Sequence, residues 1–79
     1  MTSATNLKKA ATALNITVRE VNNGTMYGLQ LSDYVYYWWA ILEDGTAIVS
    51  HIYSQRTGKT SKNLKRLYAA EKKIQSLAL

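Results

Sequence analysis

Apolar and polar residues follow two different periods along this chain, and the change of period predicts its elements. Near the N-terminus, apolar residues from Leu7 to Leu14 recur three and four positions apart. That spacing is typical of an amphipathic helix with one apolar stripe. It predicts a helix over residues 5–14, and Asn15 is well suited to end it in a left-handed conformation.

The middle of the chain alternates with period two, which predicts strands. Asn23-Gly24 is a strong turn signal within residues 16–31, and Asp44-Gly45 is another within residues 34–54. Tyr, Trp, Val and Ile are abundant in the second segment and favour strands. We therefore expect two hairpins.

Two-residue turns fix the pairing of both hairpins. Val18 then faces Leu29 in the first hairpin, and Ile16 faces Leu31. In the second hairpin the expected pairs are Leu42 with Ala47, Ala40 with Val49, Trp38 with His51, and Tyr36 with Tyr53.

The two faces of the second hairpin differ in character. We expect the more aliphatic face to pack on the helices, and it comprises Val35, Tyr37, Trp39, Ile41, Ile48, Ser50 and Ile52. The other face comprises Tyr36, Trp38, His51 and Tyr53.

Helical spacing returns after a polar loop, which predicts a second helix over residues 61–78 with Ser61 as its N-cap. Its expected apolar face comprises Leu64, Leu67, Ala70, Ile74, Leu77 and Ala78. Its expected solvent face comprises Lys62, Lys65, Arg66, Ala69, Lys72, Lys73 and Ser76. The sequence therefore predicts a single α+β domain over residues 1–79, in the order α-β-β-β-β-α, with an antiparallel sheet packed by its N- and C-terminal helices.

Charge is concentrated in the last third of this pattern. The 79 residues carry ten Lys and Arg and five Asp and Glu, for a formal net charge of +5. Seven of the ten cations follow residue 53, where Glu71 is the only acid. A local field of this sign attracts polyanions. The first hypothesis is a non-enzymatic nucleic-acid-binding protein, with duplex favoured over single strand. The predicted phosphate-contacting residues are Arg56, Lys59, Ser61, Lys62, Lys65, Arg66, Lys72 and Lys73.

The aromatic face supports an alternative hypothesis. Exposed Tyr36, Trp38, His51 and Tyr53 would offer a base-stacking platform or a surface for a protein partner. On the second interpretation the chain is a small phage or mobile-element accessory protein that modulates a host protein. Pairing of this face with a second copy, as a homodimer, is a further alternative.

Several chemistries lack the residues they require. The chain contains no cysteine and one histidine, and its five carboxylates are scattered. We therefore predict no catalytic residues, no metal site and no cofactor. The longest apolar run, residues 34–42, is far shorter than the roughly 20 residues of a membrane span. No signal peptide is evident, so we expect a cytoplasmic protein, or one in the host cytoplasm if it is viral.

Residues 61–70 read Ser-Lys-Asn-Leu-Lys-Arg-Leu-Tyr-Ala-Ala. This stretch, after a strand and a basic loop, resembles the last helix of double-stranded-RNA-binding domains. The resemblance implies that Lys62 and Arg66 grip phosphates, with Asn63 in place of a third lysine. The family has three strands and a Gly-Pro loop, whereas this chain has four predicted strands and no proline. The order of strands and helix also resembles small DNA-binding domains of phage integrases.

Overall fold

The computed structural model describes residues 2–78, so Met1 and Leu79, the ends of the predicted domain, lie outside the described residues. The described part is a compact α+β structure with an antiparallel sheet, as predicted. Along the chain, most of the strands follow an N-terminal helix and precede a C-terminal helix. Its elements are β1 Thr2–Ser3, α1 Ala4–Leu14, β2 Arg19–Val21, β3 Met26–Ser32, β4 Val35–Ile41, β5 Thr46–Ser54, β6 Thr60–Ser61 and α2 Leu64–Leu77.

The sheet has the order β1-β5-β4-β3-β2, and β6 also pairs with β5. β2 to β5 form a continuous meander, because a tight turn at Asp33-Tyr34 joins the two predicted hairpins. Two short strands were not predicted. β1 pairs with Thr46 and Ala47, and β6 pairs with Ile52 and Tyr53. Strands of two residues carry no recognisable periodicity, which is why the sequence did not reveal them.

Helix α1 is capped at both ends, and its C-terminal cap was predicted. The Ser3 hydroxyl accepts a hydrogen bond from the Asn6 amide at 3.1 Å, which satisfies one free donor of the first turn. The helix ends at Asn15, whose φ of 58° lies in the left-handed region, as predicted. Leu7 and Ala10 are fully buried, so the predicted apolar stripe faces the core.

The first hairpin keeps its predicted register but has a longer loop. Arg19 pairs with Gly28 and Val21 with Met26. These pairs have the same register as the predicted pair of Val18 with Leu29. The loop spans residues 22–25, in place of the two predicted residues, because three consecutive positions adopt positive φ: Asn22, Asn23 and Gly24. Asn and Gly are the residues that tolerate this conformation best. Residues 16–18 precede the strand, yet their apolar side chains pack against the core as expected.

The second hairpin departs from its predicted register near the turn. The Leu42 amide donates a hydrogen bond of 2.8 Å to the Thr46 carbonyl. This bond closes a loop of three residues, 43–45, in which Gly45 has a φ of 87°. A three-residue loop with glycine in the left-handed position is a common hairpin connection. The extra loop residue shifts Ala47 opposite Ile41, so the predicted Leu42–Ala47 and Ala40–Val49 pairs are wrong.

A bulge in β5 restores the predicted register beyond the turn. Trp38 faces His51, but Trp39 faces Val49, so Ser50 is the extra residue. On the turn side of the bulge the faces of β5 are exchanged relative to the prediction. Ala47 is buried, whereas Ile48, predicted to pack on the helices, is 46% exposed.

Helix α2 begins later than predicted. Thr60 and Ser61 form β6, and Asn63 is the N-cap, accepting a hydrogen bond from the Arg66 amide at 3.1 Å. The prediction of Ser61 as the cap is therefore wrong, because its backbone is engaged with Ile52 of β5. Leu64, predicted to be on the apolar face, is 61% exposed in the first turn.

Both helices contribute to one core on the same face of the sheet. Trp39 is fully buried there, which confirms the predicted packing of its face. The core cluster comprises Leu7, Ala10, Ala11, Tyr27, Leu29, Trp39, Ala47, Ala70 and Ile74. The opposite face of the sheet, called the outer face below, carries Tyr36, Trp38, His51 and Tyr53.

Candidate nucleic-acid interface

The cations of α2 lie along the side of the helix that the core leaves free. Leu67, Ala70 and Ile74 are buried, whereas Lys65, Arg66, Lys72 and Lys73 are all exposed, as predicted. Lys65 and Lys72 are seven residues apart, as are Arg66 and Lys73. Seven residues advance an α-helix by about 10.5 Å, nearly two turns. The helix therefore presents two parallel rows of positive charge, which we call the α2 cation stripe.

Arg66 stands between two clefts on the helix side of the molecule. One cleft of about 240 Å³ lies against Leu31, Ser32 and Tyr37 and is also lined by Lys73. The other, of about 270 Å³, is also lined by Lys59. The Arg66 guanidinium donates a long hydrogen bond of 3.5 Å to the Tyr37 hydroxyl, which biases its position. Because each cleft holds a second cation beside Arg66, both are suited to anionic groups.

Backbone hydrogen bonds, one of them to the β3–β4 turn, hold the loop of residues 55–59 in place. Its hydrogen bonds run from the Gln55 amide to the Tyr34 carbonyl at 2.7 Å and from the Gly58 amide to the Ser54 carbonyl at 2.8 Å. The Arg56 guanidinium lies 5.1 Å from the centroid of the Tyr34 ring. Tyr34, predicted as the start of a strand, lies in the β3–β4 turn with φ 63°. The turn and the loop thus position Arg56 together, while Lys59 reaches the second cleft.

Ser61 and Lys62, like Arg56 and Lys59, are predicted phosphate contacts that lie outside the α2 cation stripe. Ser61 lies in β6, and its hydroxyl accepts a hydrogen bond from the Asn63 amide at 3.3 Å. Lys62 follows β6 directly, in the register position opposite His51. Both residues precede the helix, as does Asn63. The resemblance to double-stranded-RNA-binding domains implies that Lys62 and Arg66 both belong to the last helix, but only Arg66 lies in α2.

The outer face carries an aromatic platform, formed by Tyr36, Trp38 and His51. The ring centroids of Tyr36 and Trp38 are 6.2 Å apart with planes 25° from parallel, and those of Trp38 and His51 are 6.4 Å apart at 19°. Tyr53 pairs with Tyr36 on the same face. All four side chains are half-buried, as expected for rings that lie against the sheet.

Gly28 allows the Trp38 ring to lie close against the sheet. A Cβ atom at this position would meet three successive atoms of the Trp38 six-membered ring at 2.7, 2.8 and 2.9 Å. Nearly equal distances to three ring atoms mean that the carbon would sit above the ring face. The indole therefore lies flat on the Gly28 backbone. A glycine within a strand pattern is a signal of such a close approach, and this signal was not used in the sequence analysis.

Cations lie at two rims of this platform. The Arg19 guanidinium lies over the Tyr36 ring, 5.5 Å from its centroid, at the Tyr36 end of the platform. At the other rim, partial burial and then the charge of Lys62 lower the pKa of His51 below its ordinary value. His51 Nδ1 also lies 2.9 Å from the Ser50 hydroxyl. Arg19 was not predicted as a site residue, although its pairing with Gly28 places it on this face.

The α2 cation stripe and the aromatic platform lie on opposite sides of the sheet. The helices pack on the face that carries Trp39, and the platform lies on the face that carries Trp38. The structure therefore separates the predicted site residues into two surfaces. Arg56 and Lys59, in the loop after β5, lie at one end of the sheet.

Comparison of the chain with protein-family models, with curated proteins and with solved structures found no significant match. No helix in residues 2–78 is long and apolar enough to cross a membrane. Within the same residues, no group of three or more His, Cys, Asp or Glu side chains could hold a metal ion. The α2 cation stripe and the aromatic platform are therefore the observations from which a function is proposed.

Proposed function

We propose that this protein is a non-enzymatic nucleic-acid-binding protein that contacts the phosphates of a duplex with the α2 cation stripe. The single observation that carries the proposal is the exposure of four cations in two rows on one helix. Lys59 and Arg56 extend the positive surface beyond the helix. Glu71 is the only acid in this part of the sequence, so the field is not cancelled locally.

Counterion release favours the binding of nucleic acid to a surface of this kind. Each phosphate neutralised by Lys or Arg releases condensed counterions, and binding is weakened by added salt accordingly. Rows of charge about 10.5 Å long match a phosphate backbone better than a small anion. The two clefts beside Arg66 give the backbone places to enter, and the Tyr37 and Ser32 hydroxyls there are further partners for phosphate oxygens.

The direct test is a salt series with the purified protein. Binding to labelled double-stranded RNA, double-stranded DNA and single-stranded DNA is measured between about 50 and about 200 mM salt. We expect the duplex affinity to fall with a slope of about −3 or steeper in a plot of log K against log salt, because four helix cations each contribute nearly one unit. Absence of duplex binding at the lowest salt would overturn the proposal.

A further inference from the structure

We infer that the outer face is a separate binding site for unpaired bases, and that its ligand is single-stranded nucleic acid. The inference rests on the proposed function for the class of ligand, but it uses a different surface. The site is the aromatic platform of Tyr36, Trp38 and His51, with Arg19 and Lys62 at its rims.

The orientation of the rings is the first support. Trp38 lies flat on Gly28, and the neighbouring rings are within 25° of its plane. One face of the Trp38 ring therefore rests on the sheet, and the other points away from it. A base stacks on an aromatic face of this kind whatever its identity, since every base has a π-face. Rings standing on edge would not offer such a surface.

The charge of the face is the second support. The registers place Arg19, Gln30, Ala40, Ile48 and Thr60 on the outer face around the aromatic residues, and none of these strand positions is acidic. Glu20, the acid of β2, lies on the core face, where its carboxylate accepts a hydrogen bond from the Tyr27 hydroxyl at 3.3 Å. The charged residues beside the aromatic rings, Arg19 and Lys62, are cations, which complements a phosphate backbone that passes beside stacked bases.

The flatness of the platform selects unpaired bases over a duplex. Bases inside a duplex are stacked on each other and cannot present their faces to a protein surface, whereas those of a single strand can. A duplex approaching the outer face would meet rings lying in the plane of the sheet and only the two rim cations. The α2 cation stripe is the better surface for a duplex, so the two ligands are assigned to opposite sides of the molecule.

The test uses a labelled dT15 oligonucleotide and the intrinsic fluorescence of the protein. Trp39 is fully buried, so quenching on addition of dT15 reports Trp38. We expect quenching with the wild-type protein, and a loss of dT15 affinity of roughly ten- to one-hundred-fold for Trp38→Ala, the range of one base–aromatic stack. Trp38→Phe should keep most of the affinity and lose the quenching. Unchanged affinity in Trp38→Ala would overturn the inference.

Two further variants separate stacking from folding. Gly28→Ala keeps the indole but forces it off the sheet, because its Cβ would lie 2.7 Å from the ring. We expect it to weaken dT15 binding in a protein that remains folded, and thermal unfolding checks that it is folded at the temperature of the binding measurement. Tyr68→Ala is the matched control, since Tyr68 is a 60% exposed aromatic residue on α2, away from the platform. Equal effects of Trp38→Ala and Tyr68→Ala would contradict a specific platform.

The outcomes distinguish this inference from the proposed function. Duplex binding that survives Trp38→Ala, together with loss of dT15 binding, supports both. Duplex binding with dT15 binding insensitive to Trp38→Ala overturns the platform alone, and dT15 binding without duplex binding overturns the role of the α2 cation stripe alone. Sedimentation of the wild-type protein as a dimer that Trp38→Ala converts to a monomer would assign the outer face to a second copy and overturn the inference.

Discussion

At position 28 the absence of a side chain shapes a whole surface. The Trp38 ring occupies the space where any other residue would place its Cβ. The rings of Tyr36 and His51 lie within 25° of the plane of Trp38, so the three rings share nearly one orientation. The outer face is therefore flat because of backbone geometry, in addition to being aromatic by composition.

His51 makes the stability of this surface depend on pH. Partial burial first, and then the charge of Lys62, lower the pKa of His51 in the folded protein. The unfolded chain then binds a proton at higher pH than the folded one. The stabilisation by neutral His51 is fully present above the ordinary pKa of histidine and is lost as the pH falls from there through the lowered value.

We therefore predict that the free energy of unfolding of the wild-type protein falls more steeply than that of His51→Asn between about pH 7.5 and about pH 5. Urea unfolding at several pH values measures both curves. Lys62→Gln should show an intermediate slope, because it removes the second cause of the shift and leaves burial in place. Parallel curves for wild type and His51→Asn would show that the histidine is not the source of the pH dependence.

At the scale of elements, loop length decided which predictions held. The alternation of apolar residues correctly predicted the four strands of the two hairpins, the buried face of β4 and the register of the first hairpin. The turn signals at Asn23-Gly24 and Asp44-Gly45 were correctly located. A glycine indicates where the backbone can adopt a positive φ, but it does not fix the number of loop residues. The three-residue loop moved Ile48 outward, and the Ser50 bulge then returned Tyr53 to its predicted pairing with Tyr36.

The start of α2 was mispredicted for a related reason. Ser61 and Asn63 are both good N-cap residues, and sequence alone does not rank them. The pairing of Ser61 with Ile52, a contact between residues distant from the local pattern, makes the choice. The exposed cations of α2 were predictable from helical spacing, whereas the position of Lys62 on the outer face depended on this extra strand.

The observed cap leads to a prediction for stability. Asn63→Ala should lower the free energy of unfolding by about 1 kcal/mol, because it removes the acceptor for the Arg66 amide. Ser61→Ala is the matched control and should have a smaller effect, since its backbone pairing in β6 is retained. Urea unfolding of the two variants measures both values. A larger loss for Ser61→Ala would mean that the helix begins earlier than described.

At the scale of the whole molecule, the helices cover one side of the sheet and leave the other uncovered. They cover the face that carries Trp39, and their exposed surface carries most of the positive charge. The uncovered face carries the aromatic platform with two rim cations. The sequence located both sets of residues, and the predicted packing of the helices on the Trp39 face, which the core confirms, placed them on opposite sides of the sheet.

The central claim is that the position of the charge on α2, and not the net charge of +5 alone, binds a duplex. Two variants with the same change in net charge test it most directly: Lys65→Glu/Lys72→Glu on α2 and Lys8→Glu/Lys9→Glu on α1. Thermal unfolding checks that each variant is folded, because Lys8 also lies 5.6 Å from the centroid of the Tyr27 ring.

Duplex affinity of both variants is measured across the same salt series as the wild-type protein. We predict that the α2 variant loses at least about tenfold in affinity and about two units of salt slope, one for each phosphate contact removed. The α1 variant should keep a salt slope close to that of the wild-type protein. Equal losses of affinity and slope in the two variants would contradict the account, because net charge alone would then explain the binding.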